Sequence, residues 1–268
     1  EIGRPQLDAL VERQREVEPD HLTVLYAPTW EGYGDEAHQT SLGPCGVTLV
    51  HLLLAEPDVR IVYRPHPLAG TRDPAVARAH REIVELLGVE AAPEPVAPAE
   101  SYAGARDALE VARSPVLTSR SEQVAALEVW AGKQLTPPPG PDQAARRHVL
   151  APDPQFTLHA CFAAADLLLC DVSSVITDFL ASDRPYGVTN PAALTATEFA
   201  VRYPSSRGGY LVDADGHGLT GLLAAGRGLA DPAVSARAAL RDQLLGPSEP
   251  PALERLRKAV AAAASALA

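Results

Sequence analysis

The chain has 268 residues, 46% of them apolar and 21% charged, with a formal net charge of -11. That length and apolar fraction can bury a substantial core, as one large α/β domain or as a domain with an elaboration. The acidic balance argues against a nucleic-acid-binding surface, which needs a basic stripe to neutralise phosphates, while leaving room for a small basic pocket, whose field is local.

In chain order, Gln6 to Arg15 reads as a helix. Leu22 to Ala27 is a short apolar strand that stops at Pro28 and then offers a hydroxyl, an indole and a carboxylate in Thr29, Trp30 and Glu31. Trp30 is as well explained by packing, since aromatics are more often core than ligand platforms. A Gly-rich loop follows from Gly32 to Gly46. Its Gly32-Tyr33-Gly34-Asp35-Glu36-Ala37 formally fits the dinucleotide-binding pattern. Pro28 separates it from the strand, however, and Gly43-Pro44 is expected to interrupt any helix it opens.

Val47 to Ala55 reads as an apolar helix, Val59 to Arg64 as a strand, and Pro74 to Leu87 as a helix with Ile83, Leu86 and Leu87 inward. The second strand ends in Arg64-Pro65-His66-Pro67. Each proline biases the residue before it to extended backbone, and residues i and i+2 of an extended chain project to one side. Arg64 and His66 are therefore expected to face one space, a guanidinium and an imidazole suited to a diphosphate. The alternative is that His66 only hydrogen-bonds a neighbouring carbonyl.

Residues 91–147 change character and read as an insertion. Ala91 to Pro98 is a linker rich in Pro, Ala and Glu, Ala99 to Arg113 and Glu122 to Ala131 are helical, and Pro137 to Pro141 must be extended or turn-like. His148 to Ala151 resumes as a short strand, and Thr157 to Ala164 as a helix with Phe156, Leu158 and Phe162 inward. The apolar strand Leu167 to Cys170 then breaks at Asp171-Val172-Ser173-Ser174 and restarts with helical spacing at Val175, Phe179, Leu180 and Ser182. Ser173 and Ser174 sit where unpaired backbone N–H groups can hold a phosphate, although one serine serves equally as a helix cap. Two adjacent hydroxyls exceed what one cap needs.

Pro185 to Thr189 is the last clear strand, and Asn190-Pro191 a turn. Glu198 to Tyr203 is placed near the ligand. Asp213 to Gly216 is an ordinary turn lacking the further ligands of a calcium loop. Helices at His217 to Ala225, Pro232 to Leu245 and Pro251 to Leu267 complete the chain, so residues 230–268 are read as carboxyl-terminal helices of a single domain spanning 1–268. Alternating strands and helices predict a parallel sheet, which binds ligands outside the carboxyl ends of its strands.

Tyr26-Ala27-Pro28-Thr29-Trp30, Arg64-Pro65-His66-Pro67 and Asp171-Val172-Ser173-Ser174-Val175-Ile176-Thr177-Asp178-Phe179, in that order, resemble the CDP-glycerol glycerophosphotransferase family of teichoic-acid polymerases and primases. Arg184-Pro185-Tyr186 and Arg207-Gly208-Gly209-Tyr210 fit its later segments, so the resemblance runs from about residue 20 to about residue 215. Glu31 departs from it, since members often carry Arg there, and Val172 stands where an aromatic is common. The resemblance implies a GT-B fold with two Rossmann-like halves, of which this chain matches the second, nucleotide-binding half.

It further implies transfer of glycerol phosphate, or a related polyol phosphate, from a CDP-activated donor to a hydroxyl of a cell-wall polymer. His66 would be hydrogen-bond donor or general acid at the diphosphate. Arg64, Thr29, Asp171, Ser173, Ser174, Asp178, Arg207 and Gly208 would contact the donor. The general base would come from an amino-terminal acceptor half, so the piece alone is expected to bind nucleotide without turning it over.

A UDP-dependent GT-B glycosyltransferase or epimerase, and a non-catalytic nucleotide-binding module, are the alternatives. Cys45, Cys161 and Cys170 are odd in number and scattered, which suggests a reducing compartment, and no residue spacing suggests a metal or cofactor. No apolar run approaches the ~20 residues of a membrane-spanning helix. A cytoplasmic placement is expected, at the inner face of the plasma membrane through other parts of the protein. With Glu1 first and no methionine, the sequence reads as an excised piece.

Overall fold

Six strands run parallel in one sheet: β1 (Leu22–Ala27), β2 (Val59–Tyr63), β3 (Val149–Leu150), β4 (Leu167–Cys170), β5 (Tyr186–Asn190) and β6 (Tyr210–Asp213), in the spatial order β3-β2-β1-β4-β5-β6. This computed structural model describes residues 3, 4, 7, 21–32, 40–88, 148–150, 157–247 and 249–267. The expected helix at Gln6 to Arg15 lies almost wholly outside the described residues, as do the linker, helices and proline run expected within 91–147.

Strands buried on both faces need apolar side chains at every position, and β1, β2 and β4 have nearly that. Alternate residues feed two clusters. Leu25, Val62, Leu168, Cys170 and Val188 face one side, with Phe162, Ile176, Phe179 and Leu240. Val24, Tyr26, Ile61, Tyr63, Leu167 and Leu169 face the other, with Leu49, Leu53, Ile83 and Leu222. Each aliphatic or aromatic side chain so withdrawn from water contributes about 1.5–3 kcal/mol. The sheet is therefore doubly wound, with helices on both faces, as the alternation of elements predicts.

The helices are α1 (Val47–Leu54), α2 (Pro74–Leu87), α3 (Leu158–Ala164), α4 (Val175–Phe179), α5 (Ala196–Arg202), α6 (Leu219–Gly226), α7 (Val234–Leu245) and α8 (Ala252–Leu267). Their ends are set locally. At α2 the Asp73 side chain accepts the Ala75 N–H, Pro74 occupies the first turn, and Gly88 at φ 63° ends the helix in the left-handed region. At α3 the Thr157 hydroxyl accepts the Ala160 N–H at 3.2 Å. Arg184 closes the other end of α3, donating to the carbonyls of Phe162, Ala163 and Ala165, where a cation meets the negative end of the helix dipole.

Two expectations need correction. The loop expected to run from Gly32 to Gly46 ends sooner, because Leu42–Gly46 forms a wide helical turn that runs directly into α1, while the Gly32 to Ala37 motif lies almost wholly outside the described residues. Pro44 falls in the first turn, where its missing N–H would have had no partner anyway. Tyr186–Asn190 is also not the last strand, since Tyr210–Asp213 pairs with it in register from Gly187↔Tyr210 to Asn190↔Asp213. On α2 the inner face is Val76, Ala79, Ile83, Val84 and Leu87, with Leu86 at its rim. Among the described residues no helix is long and apolar enough to cross a membrane.

Candidate functional site

Strand order reverses direction between β1 and β4, which are adjacent although β2 and β3 intervene in sequence. At such a switch point the loops leaving the two strands splay apart and open a crevice at their carboxyl ends. The loops here are Pro28–Glu31 after β1 and Asp171–Ser174 after β4, with Arg64–Pro67 leaving the neighbouring β2. The three segments singled out by sequence thus emerge side by side.

Hydrogen bonds tie them in series. Arg64 N–H donates to the Tyr26 carbonyl at 2.8 Å, and His66 N–H to the Pro28 carbonyl at 3.0 Å, so the β1–β2 ladder continues past both strand ends. On the other side Thr29 N–H donates to Asp171 Oδ2 at 2.7 Å. Thr29 itself is half-buried, its carbonyl accepting from Thr40 Oγ1 at 2.9 Å.

Asp171 is fully buried and acts as a clasp. Besides Thr29 it accepts from Thr189 Oγ1 at 2.6 Å, and the hydroxyl and N–H of Ser41 lie beside it and favour its charged form. Ser41 Oγ in turn lies 2.7 Å from the Tyr26 hydroxyl. Burial pushes the Asp171 carboxyl up to about 6, against the opposing pull of these donors. The carboxylate is engaged by the protein itself, so Asp171 holds the Thr29 backbone at the end of β1.

Around His66 the packing is specific. Its ring stacks on Trp30 with centroids 5.6 Å apart and planes 15° from parallel. Its Nδ1 accepts the backbone N–H of Leu68 at 3.1 Å. A backbone N–H can only donate, so Nδ1 is unprotonated and the neutral ring carries its hydrogen on Nε2. Burial lowers the imidazole below its ordinary value, partly offset by the Glu31 carboxylate. The Arg64 guanidinium lies toward the buried Cys161 thiol on α3, and its charge opposes the burial that pushes that thiol up to about 12.

Ser173 and Ser174 differ in their surroundings. Ser173 Oγ accepts the Val175 N–H at 3.3 Å, a capping contact, while Ser174 is exposed. Asp178 is ion-paired with Arg4. Arg207 is exposed and donates to the Ala200 carbonyl at 3.0 Å. A side-chain carbon added at Gly208 would come within 2.8 Å of both the Arg237 backbone and the Tyr186 hydroxyl, so this glycine lets α7 approach β5. Glu198 is engaged in a capping box with Thr195 at the start of α5, which holds its carboxyl below the usual range.

Ser41 and Thr189 were not foreseen, and no local pattern marks them. Glu31, the carboxylate expected at the end of the first strand, is 3% exposed and accepts three backbone N–H groups, from Gly70, Arg72 and Asp73. Among the described residues no group of three or more His, Cys, Asp or Glu side chains is placed to hold a metal ion.

No family model matches the chain, and no curated protein matches it. Solved structures do. A Listeria monocytogenes protein assigned as a UDP-N-acetylglucosamine 2-epimerase superposes with a TM-score of 0.47 at 13% identity, over 97% of this chain and 52% of its own. The wall teichoic acid polymerase TagF, in a variant soaked with CDPG, superposes with a TM-score of 0.39 at 14% identity, over 92% of this chain and 50% of its own. The chain spans about half the length of each.

Proposed function

We propose that this chain is the donor-binding half of a GT-B transferase that moves glycerol phosphate, or a related polyol phosphate, from a CDP-activated donor to a hydroxyl of a cell-wall polymer. The observation that supports it is the meeting of the three motif loops at the β1/β4 switch point, joined by the His66–Pro28 and Thr29–Asp171 bonds. One loop presents an imidazole and another two serines, polar groups able to donate to a diphosphate lying between them.

In the proposed reaction the acceptor oxygen forms a bond to the phosphorus that carries glycerol. The bond from that phosphorus to the bridging oxygen breaks, CMP leaves with the bond's electron pair, and the acceptor's proton passes to a base supplied by an amino-terminal half. Charge builds on the departing phosphate and must meet donors already in place. Nε2–H of His66 and the hydroxyls of Ser173 and Ser174 are those donors. Asp171 and Glu31 hold the loops, and Arg64 supports the His66 segment from the α3 side. The polymer acceptor, the preceding half and a place at the inner membrane face belong to the same proposal.

Calorimetry with CDP-glycerol tests it. Replacing Ser173 and Ser174 together with alanine is expected to weaken binding by roughly 1–3 kcal/mol for each buried hydrogen bond lost. Equal affinity in a folded double variant would remove the serines from the site, and tighter binding of a UDP-sugar than of CDP-glycerol would reassign the donor. The isolated chain is expected to release no CMP.

A further inference from the structure

We infer that Glu31 is the positioning residue that sets the protonated nitrogen of His66, and that His66 therefore serves as a neutral Nε2–H donor and not as an acid. The inference rests on the proposed placement of His66 against the donor diphosphate, but its first half concerns the protein without ligand.

Glu31 follows Trp30 directly, and its buried carboxylate reaches across to the segment between β2 and α2. It accepts the N–H groups of Gly70 at 3.0 Å, Asp73 at 3.0 Å and Arg72 at 3.3 Å. Arg72 returns the tie by donating from Nη1 to the Gly32 carbonyl at 2.5 Å. The same segment turns tightly at its start, where Ala69 N–H donates to the His66 carbonyl at 2.9 Å, and there it presents Leu68 N–H to His66 Nδ1. The imidazole is thus held on its face by the residue before Glu31 and on its edge by the segment that Glu31 binds.

This arrangement decides which proton His66 can offer. Adding a proton to Nδ1 would point one N–H at another, the Leu68 amide, with no acceptor between them. The Glu31 carboxylate is the charged group that favours the imidazolium, and it faces three backbone donors that draw on its charge, while burial of the ring opposes it. A carboxylate is needed because a carboxamide in its place would turn an NH2 toward at least one of those backbone N–H groups. A lost or reversed contact there frees the segment that carries Leu68.

Long-range 1H–15N NMR of His66 reads this out at pH 7.5 without ligand. Wild type is expected to show a single tautomer, protonated at Nε2 and bare at Nδ1, and a folded Glu31→Gln variant a mixture of tautomers with the Leu68 amide signal shifted. A wild-type ring protonated at Nδ1 would overturn the inference. So would an unchanged tautomer in folded Glu31→Gln. Since no nucleotide is present, either failure leaves the donor-binding proposal standing, and absence of CDP-glycerol binding would leave the tautomer assignment standing.

Discussion

Asp171→Asn is expected to lower the stability of the chain by about 2–4 kcal/mol, because an amide can satisfy only part of a site built from donors, each buried unpaired donor costing about 1–3 kcal/mol. Thr29 N–H and the Thr189 hydroxyl donate to this carboxylate, and the Ser41 hydroxyl and N–H beside it also favour its charged form. An asparagine keeps one accepting oxygen and turns an NH2 toward the rest. The loss is a large share of a total that is typically 5–15 kcal/mol, so it should be plain in a denaturant titration.

The effect also has a pH signature. The folded carboxyl sits at about 6 against 3.8 for the ordinary group, so the folded state binds the proton more tightly than the unfolded one. Its favourable contribution is complete below the ordinary value and declines as pH rises through about 6. The variant lacks this group. The stability difference between wild type and Asp171→Asn should therefore shrink as pH rises from about 4 to about 6 and stay level above, relative to its acid value.

On the proposed function, His66→Ala is expected to cost the transferase about 10²–10³ in turnover while changing donor affinity much less, the scale seen when one preorganised donor to a developing oxyanion is removed. His66→Gln should recover part of that loss. The amide nitrogen of glutamine lies near the place of Nε2 and still donates, whereas it cannot act as an acid. If His66 transferred a proton to the leaving phosphate, glutamine and alanine would be equally poor. Steady-state kinetics on the two variants separates the roles that sequence alone leaves open.

The sheet was largely legible because its strands carry their own signal. Leu22–Ala27, Val59–Tyr63 and Leu167–Cys170 are apolar runs ended by proline or by charge, and each was placed within a residue of its observed end. β6 was not, since Tyr210–Asp213 is only partly buried, follows two glycines and has no apolar run to mark it. Leu42–Gly46 reads as the end of a Gly-rich loop because Gly-Pro signals a turn until its position in a helix's first turn is known.

At the site, sequence identified the loops but not the division of labour within them. Asp171 looked like a ligand group, and what makes it a clasp is burial and its contacts to Thr29 and Ser41, more than a hundred residues away. Arg184 and Gly208 lie in the later segments of the resemblance, and in the structure Arg184 donates to carbonyls at the end of α3 while Gly208 leaves room for α7 against β5. A motif records which residues occur together. It does not distinguish a residue that touches the ligand from one that holds the backbone touching it.

The most direct test of the central claim is an amide chemical-shift titration of 15N-labelled protein with CDP-glycerol. Saturable shifts concentrated at Thr29, Leu68, Ser173 and Ser174, around the carboxyl ends of β1, β2 and β4, are the predicted result. Shifts confined to other edges of the sheet, or none at saturating nucleotide, would contradict it.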